Sequence, residues 1–180
     1  MALVTVEKCR EFLNLEDDNE SSHVEDLIDY VSAFIETYTR RTFLTATYTE
    51  YYDGNGTDTL FLNQRPINSI TSIHIDDGRS FDASTQISAS AIVSYSEEGY
   101  VRLDGDYFSR GIQNIKVVYS AGYAQASIPA DLQFACIKLV QELYKDGKTT
   151  LENPDLLNVA LQDLSNKQSR INSILRMHRL

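Results

Sequence analysis

Hydrophobic residues recur every three or four positions over the first forty residues, a spacing that predicts amphipathic helices. A short helix is predicted over residues 6–13, because its apolar residues share one stripe and Thr5 can cap its N-terminus. A longer helix is predicted to end near Thr39, with the apolar stripe Val24, Leu27, Ile28, Val31, Ile35 and Tyr38. The opposite face of this second helix is expected to face solvent; it comprises Glu25, Asp26, Asp29, Ser32 and Glu36.

Between Thr42 and Tyr119 the hydrophobic period changes from about four to two, and short β-branched and aromatic runs alternate with turn residues. The strands predicted from these runs cover residues 43–52, 59–62, 69–75, 87–94, 100–103 and 112–119. They are separated by residues 53–56, 76–78, 97–99 and 104–106, all rich in Gly, Asp, Asn or Glu. Alternation with short turns predicts a mainly antiparallel sheet.

Helical spacing returns after Pro129, which can take the first position of a helix that Gly147 would close. Its predicted buried stripe is Leu132, Cys136, Leu139, Val140, Leu143 and Tyr144. Pro154 can open a last helix, in which Leu157, Leu161, Leu164, Gln168, Ile171 and Leu175 recur at intervals of three or four.

These patterns predict an α+β fold in which helices from the two ends of the chain form a bundle that carries a mainly antiparallel β insertion. The predicted main domain covers residues 1–153, with helices within 5–39 and 129–146 and the insertion at 42–120. Residues 154–180 are predicted to form a separate helical tail.

Composition supports a folded domain, since 42% of the 180 residues are hydrophobic and Tyr and Phe are frequent. No apolar run reaches the roughly 20 residues that span a bilayer, and the N-terminus lacks a basic start followed by an apolar stretch, so neither secretion nor membrane insertion is expected. Cys9 and Cys136 occupy apolar helical positions without metal-ligand spacing. They are predicted to be buried free thiols in a reducing cytoplasm.

Charge is high and uneven. The formal net charge of -10 argues against a general nucleic-acid-binding role. Residues 1–41 carry 4 basic and 10 acidic side chains, whereas Lys167, Arg170, Arg176 and Arg179 follow Asp163 without any acid. An acidic front and a basic tail favour contacts with other proteins over a small-molecule pocket.

Signatures of catalysis are incomplete. The chain contains no G-x-S-x-G, G-x-x-x-x-G-K-[ST], H-E-x-x-H or G-x-G-x-x-G. His23, His74 and His178 lack a paired carboxylate and hydroxyl pattern, so each is predicted to be structural or solvated. Neither an enzyme nor a cofactor is predicted.

Residues 53–58 (DGNGTD) resemble the front of a calcium loop, with oxygen ligands at alternate positions. An EF-hand needs Glu at the twelfth position, which is Gln64 here, and helices on both sides, where this pattern predicts strands. A hairpin turn is therefore the preferred interpretation, with Gly54 and Gly56 serving the backbone. The acidic pairs at 17–18, 76–77 and 97–98 are interpreted in the same way, as solvated loops, with weak cation binding at any of them left open.

Several segments, in this order and spacing, resemble the head-tail connector (adaptor) family of long-tailed DNA bacteriophages. The segments are residues 5–8 (TVEK), 35–41 (IETYTRR), 52–62 (YDGNGTDTLFL), 65–73 (RPINSITSI), 117–123 (VVYSAGY) and 128–132 (IPADL). The resemblance covers roughly residues 3–146. The segment at about 79–110 is longer than in compact members, and the part after Pro154 does not align.

The resemblance implies a structural protein of the virion neck, present in the host cytoplasm during assembly. It implies a ring of about twelve subunits that forms beneath the portal protein after DNA packaging and receives a stopper or tail-completion protein on its other side. DNA would pass through without specific binding, and an acidic lumen would repel its phosphates. No catalysis is implied.

Two other functions stay open. One is another phage neck or tail-completion protein without the portal contact. The other is a non-catalytic β-rich module that binds carbohydrate or calcium, suggested by the tyrosine-rich strands and the loop at 53–58. A connector is expected to bind portal protein, whereas a ligand-binding module is expected to be stabilised by its ligand.

The basic tail is the predicted partner-binding segment, for the portal or a neighbouring subunit. Its predicted contact residues are Lys167, Arg170, Ile171, Leu175, Arg176 and Arg179. Because residues 165–180 are more polar than the preceding turns, they are expected to be mobile until a partner orders them. The isolated protein is expected to be monomeric or weakly associated.

Overall fold

The computed structural model describes residues 2–15, 21–145 and 169–179, and the chain divides into two compact units. The helical unit comprises Met1–Phe43 and Ala124–Leu180, and the β unit comprises Leu44–Tyr123. Helices and antiparallel sheets together make a mixed α+β fold, which confirms the predicted class. The predicted helix end at Gly147, the start at Pro154 and the stripe Leu157, Leu161, Leu164 and Gln168 lie outside the described residues.

The helical unit contains helices from both ends of the chain. They are α1 Val6–Leu13, α2 Ser21–Thr39, α3 Ala130–Lys145 and α4 Ser169–Met177. Helix α1 begins where the Thr5 hydroxyl accepts a hydrogen bond from the Lys8 N–H, and it ends at Asn14, whose φ of 54° is left-handed. The cap predicted at Thr5 is therefore confirmed.

Most residues of the predicted apolar stripes are buried in this unit, although Tyr38 and Tyr144 are half-buried. Ser32 was predicted to face solvent, but it is buried, because its hydroxyl accepts a hydrogen bond from the Leu3 N–H at 3.0 Å. Fully buried residues include Val24, Leu27, Ile28, Val31 and Ile35 of α2 and Leu132, Leu139, Val140 and Leu143 of α3. Cys9 and Cys136 are buried free thiols, and burial raises their thiol pKa values to about 11 and about 12. Both thiols therefore stay protonated and unreactive at neutral pH.

The β unit consists of two three-stranded sheets in which every strand pair is antiparallel. Its strands are β1 Ala46–Gly54, β2 Thr59–Phe61, β3 Ile67–Ile75, β4 Ile92–Tyr95, β5 Tyr100–Leu103 and β6 Gly111–Ala121. Sheet A has the order β1-β6-β3, and sheet B has the order β2-β5-β4. Side chains from both sheets form one core, which includes Leu60, Ile73, Val101, Phe108, Ile115 and Val117.

A partly buried polar cluster connects β1 to β6 and to the segment after β2. The carboxylate of Glu50 accepts hydrogen bonds from the hydroxyls of Tyr52 and Tyr119, the latter at 2.8 Å. The same two hydroxyl oxygens accept the backbone N–H groups of Asn63 and Gln64, each at 3.1 Å. Burial, and then the bond to Glu50, raises the pKa of both phenols well above the usual range, so they remain donors.

The loop at residues 53–58 is not a hairpin turn, and that prediction was wrong. Strand β1 pairs with β6 and strand β2 pairs with β5, so the loop carries the chain from sheet A to sheet B. Partners far along the chain hold the loop, since the Gly56 N–H donates to Phe108 O at 2.8 Å and the Phe108 N–H to Thr57 O at 2.8 Å. Local sequence specifies a turn but not the strands that it joins.

Gly54 is the last residue of β1 and lies within this loop segment. A Cβ at Gly54 would overlap the backbone carbonyl oxygen of Ser109, which cannot move aside as a flexible side chain could. We expect Gly54→Ala to lower the free energy of unfolding in urea by about 2 kcal/mol, in the range seen for overpacking.

Gly105→Ala is the matched control. Gly105 has a φ of 75° and open space around the added atom, so it costs only the left-handed backbone strain of about 1 kcal/mol. Equal losses for the two variants would show that the contact with Ser109 does not restrict position 54.

Candidate assembly surfaces

The predicted partner-binding residues fall into buried and exposed groups. Ile171 and Leu175, with 1% and 0% of their surface exposed, lie in the interior of the helical unit. Arg176 and Arg179 are exposed at the end of α4. Lys167 and the side chain of Arg170 lie outside the described residues. The interpretation of these residues as partner-binding stays a prediction, and among the side chains of this set that the structure describes, those of Arg176 and Arg179 are accessible.

Polar bonds as well as apolar burial hold α4 in place. The Tyr38 hydroxyl donates to Asn172 Oδ1 at 2.6 Å, and Arg41 Nη1 donates to the His178 carbonyl at 3.1 Å. His178 Nε2 lies 2.8 Å from Asp131 Oδ2. Burial by itself would raise the pKa of Asp131. The hydrogen bond to His178, the electrostatic interaction with His178 and the backbone N–H groups together have a larger effect, so the pKa of Asp131 is lowered.

Residues 165–180 were expected to be mobile in the absence of a partner, but these contacts hold residues 169–179 against the helical unit. The physical reason is that Ile171 and Leu175 share one face of α4, and the hydrophobic gain from burying that face outweighs the polarity of the remaining positions. What α4 offers to a partner is therefore its exposed end. We call Arg176, Met177 and Arg179 the basic end; Met177 is 67% exposed. Neither arginine has a carboxylate partner within the part of the chain that the structure describes.

Sheet B presents a row of aromatic rings on its outer face. Phe61 of β2 pairs with Tyr100 of β5, which pairs with Tyr95 of β4, so all three project to the same side. The ring centroids of Phe61 and Tyr100 are 5.4 Å apart, and those of Tyr95 and Tyr100 are stacked at 4.3 Å. Phe61 is 67% exposed. Exposed aromatic residues of this kind are enriched in protein interfaces.

An open cleft of about 570 Å³ lies beside this row. It is lined by Asp58, Val93, Tyr95, Arg102, Leu103, Asp104, Gly105, Asp106 and Tyr107, and we call it the acidic cleft. Arg102 and Asp58 form an ion pair at 2.6 Å, and hydrogen bonds from Thr59 and then Arg102 lower the pKa of Asp58. Asp104 and Asp106 are exposed without a cationic partner among the described residues, so the cleft keeps a net negative charge.

Oxygen atoms of the 53–58 loop bond to the protein itself. Asp53 Oδ1 accepts the Gln113 N–H at 2.7 Å, and Asn55 Oδ1 accepts the Thr57 N–H at 2.9 Å. Over the described ranges, no three His, Cys, Asp or Glu side chains are grouped so that they could hold a metal ion. Within the same ranges, no helix is both long and apolar enough to cross a bilayer.

A sequence model of the family described as head completion protein matches residues 2–180, which is nearly the whole chain. The chain belongs to the head completion protein family. Curated proteins gave no match by sequence.

Solved structures of gene transfer agent (GTA) particles share the fold of this head completion protein. A chain in the neck of an empty GTA particle, computed with C6 symmetry, has a TM-score of 0.58 and 17% identity and covers 79% of this chain and 78% of that chain. A chain of the native GTA virion has a TM-score of 0.57 and 18% identity, with coverages of 89% and 88%. A chain in the native GTA neck, computed with C12 symmetry, has a TM-score of 0.54 and 16% identity, with coverages of 87% and 86%.

Proposed function

We propose that this head completion protein forms a ring at the neck of a phage-like virion, where it joins the portal to the stopper or tail after DNA packaging. The observation that carries the proposal is the family match over residues 2–180. The shared fold with chains from GTA necks, one of them computed with C12 symmetry, supports a ring of about twelve copies. The protein would act in the virion after assembly in the host cytoplasm.

Unlike surfaces on one chain support ring formation. Subunits of a ring make head-to-tail contacts, in which each copy offers two different patches to its two neighbours. The basic end belongs to the helical unit, and the acidic cleft and aromatic row belong to the β unit.

Since helices from both ends of the chain pack together in the helical unit, we also infer that a bundle of N-terminal and C-terminal helices is the framework of this unit.

The proposed role is structural and non-catalytic. A passage for DNA must let the duplex slide, and the formal charge of -10 repels phosphates instead of holding them. Portal protein on one side and a stopper or tail-completion protein on the other are the proposed partners. The predicted contact set was assigned to the portal or a neighbouring subunit. Within it, Arg176 and Arg179 are the described side chains that are exposed for a contact of either kind, while Ile171 and Leu175 fix the helix that carries them.

Deletion of the gene tests the proposal. We expect DNA-filled heads without attached tails, and tail attachment restored by adding the purified protein to these heads. Purified protein should also bind heads that carry portal and fail to bind portal-less shells. Normal tailed particles from the deletion strain would contradict the proposal. Restored tails without any binding to portal-bearing heads would favour a neck protein below the connector.

A further inference from the structure

We propose that the basic end of one copy binds the acidic cleft of the next copy, and that this contact repeats around the ring. The proposal rests on the ring function proposed above and names the surfaces that form its subunit interface. Its occupant is a second copy of this chain. The argument comes from the charge, the exposure and the residue types at the two sites.

The acidic cleft suits a guanidinium group. Its lining includes the carboxylates of Asp104 and Asp106 and the rings of Tyr95 and Tyr107, and Tyr107 is 61% exposed. Arginine pairs with carboxylates through charge-assisted bonds and stacks on aromatic faces. Arg102 does not neutralise the site, because Asp58 already pairs with it at 2.6 Å.

The basic end supplies the matching chemistry. Arg176 and Arg179 carry charges that no carboxylate of the described chain compensates, and Met177, which lies between them in the sequence, is exposed. A thioether makes favourable contacts with aromatic rings, so Met177 fits the tyrosine side of the cleft. Two positive groups and one apolar group thus meet two negative groups and an aromatic wall.

A charge-swap experiment tests the contact. One variant carries Asp104→Arg and Asp106→Arg, a second carries Arg176→Glu and Arg179→Glu, and a third carries all four changes. Native mass spectrometry measures the oligomers that each variant forms, both for the purified protein alone and after its assembly on portal-bearing heads. Each measurement is made at low salt and at about 0.5 M salt. We expect each two-site variant to lose association by about tenfold or more, because like charges then face each other, and the four-site variant to regain it. Added salt should weaken association of the wild type.

Controls separate this contact from a general charge effect. Glu25→Arg with Asp26→Arg makes the same change in net charge as the cleft variant, on the exposed face of α2, and should associate like the wild type. Equal loss in this control, or no recovery in the four-site variant, overturns the contact. A variant with Arg176→Glu and Arg179→Glu that forms normal rings and loses only its binding to portal would show that the basic end binds portal. That result would also overturn the proposed contact between copies. No ring from the wild type, alone or on heads, would overturn the proposed function itself.

Discussion

Replacing Leu175 with alanine is expected to lower the free energy of unfolding by about 3 kcal/mol, within the range for fully buried leucines. Leu175 has no exposed surface, and the cavity left by its side chain would lie between α4 and the helices against which it packs. Urea denaturation followed by circular dichroism measures the loss. Ile171→Ala should cost a similar amount, because Ile171 is 1% exposed.

Met177→Ala is the control on the same helix. Met177 is 67% exposed, so its truncation should change stability by less than about 0.5 kcal/mol. If Leu175→Ala were as mild as Met177→Ala, α4 would not belong to the core, and the mobile tail expected from sequence would be restored.

Replacing Glu50 with alanine is expected to lower the free energy of unfolding by about 3 kcal/mol as well. The change leaves the hydroxyls of half-buried Tyr52 and buried Tyr119 without their acceptor, and an unsatisfied buried donor costs on the order of 1–3 kcal/mol. Because those hydroxyls also accept the N–H groups of Asn63 and Gln64, the segment after β2 should loosen. Faster amide exchange at residues 63 and 64 would report this.

A double-mutant cycle isolates the effect of the cluster. Adding Tyr52→Phe to Glu50→Ala should cost less than Tyr52→Phe does in the wild type, because the bond between the two residues is already gone. Thr49→Ala, at an exposed position of the same strand, should be near neutral. Additive losses in the cycle would contradict the shared carboxylate.

The local pattern of apolar, capping and turn residues predicted the bounds of helix α1 and strand β5. The bounds of α1 match the predicted 6–13, since a side-chain cap and one apolar stripe are properties of consecutive residues. Strand β5 likewise has the predicted bounds, because the turn before it contains Gly99, whose φ of 76° suits a β4–β5 hairpin. Each of these features is encoded within a few residues.

Pairing between distant segments was not predictable in the same way. The 53–58 loop has the composition of a hairpin, yet its direction depends on β6 and β5, about sixty and forty residues further on. The acidic cleft combines Asp58 with residues 93–107, so no single motif shows it. An available signal was the alternation in sheet B, where Phe61 and Tyr100 take outward positions between buried neighbours.

The C-terminal helix shows how two tendencies compete. Net charge and polarity of residues 165–180 predict exposure, and Arg176 and Arg179 are exposed. The apolar spacing of Ile171 and Leu175 predicts burial, and both are buried. The spacing of the apolar residues determines which face of α4 packs against the other helices, and the charged residues outside that face remain exposed to a partner.

A cryo-electron microscopy reconstruction of the neck of particles that carry this chain tests the ring proposal most directly. The account predicts about twelve copies of this chain around the DNA axis, directly beneath the portal, as in a closed cyclic assembly. It also predicts the basic end of each copy against the acidic cleft of its neighbour. Absence of this chain from the neck, or its presence there without contact to the portal, would contradict the account.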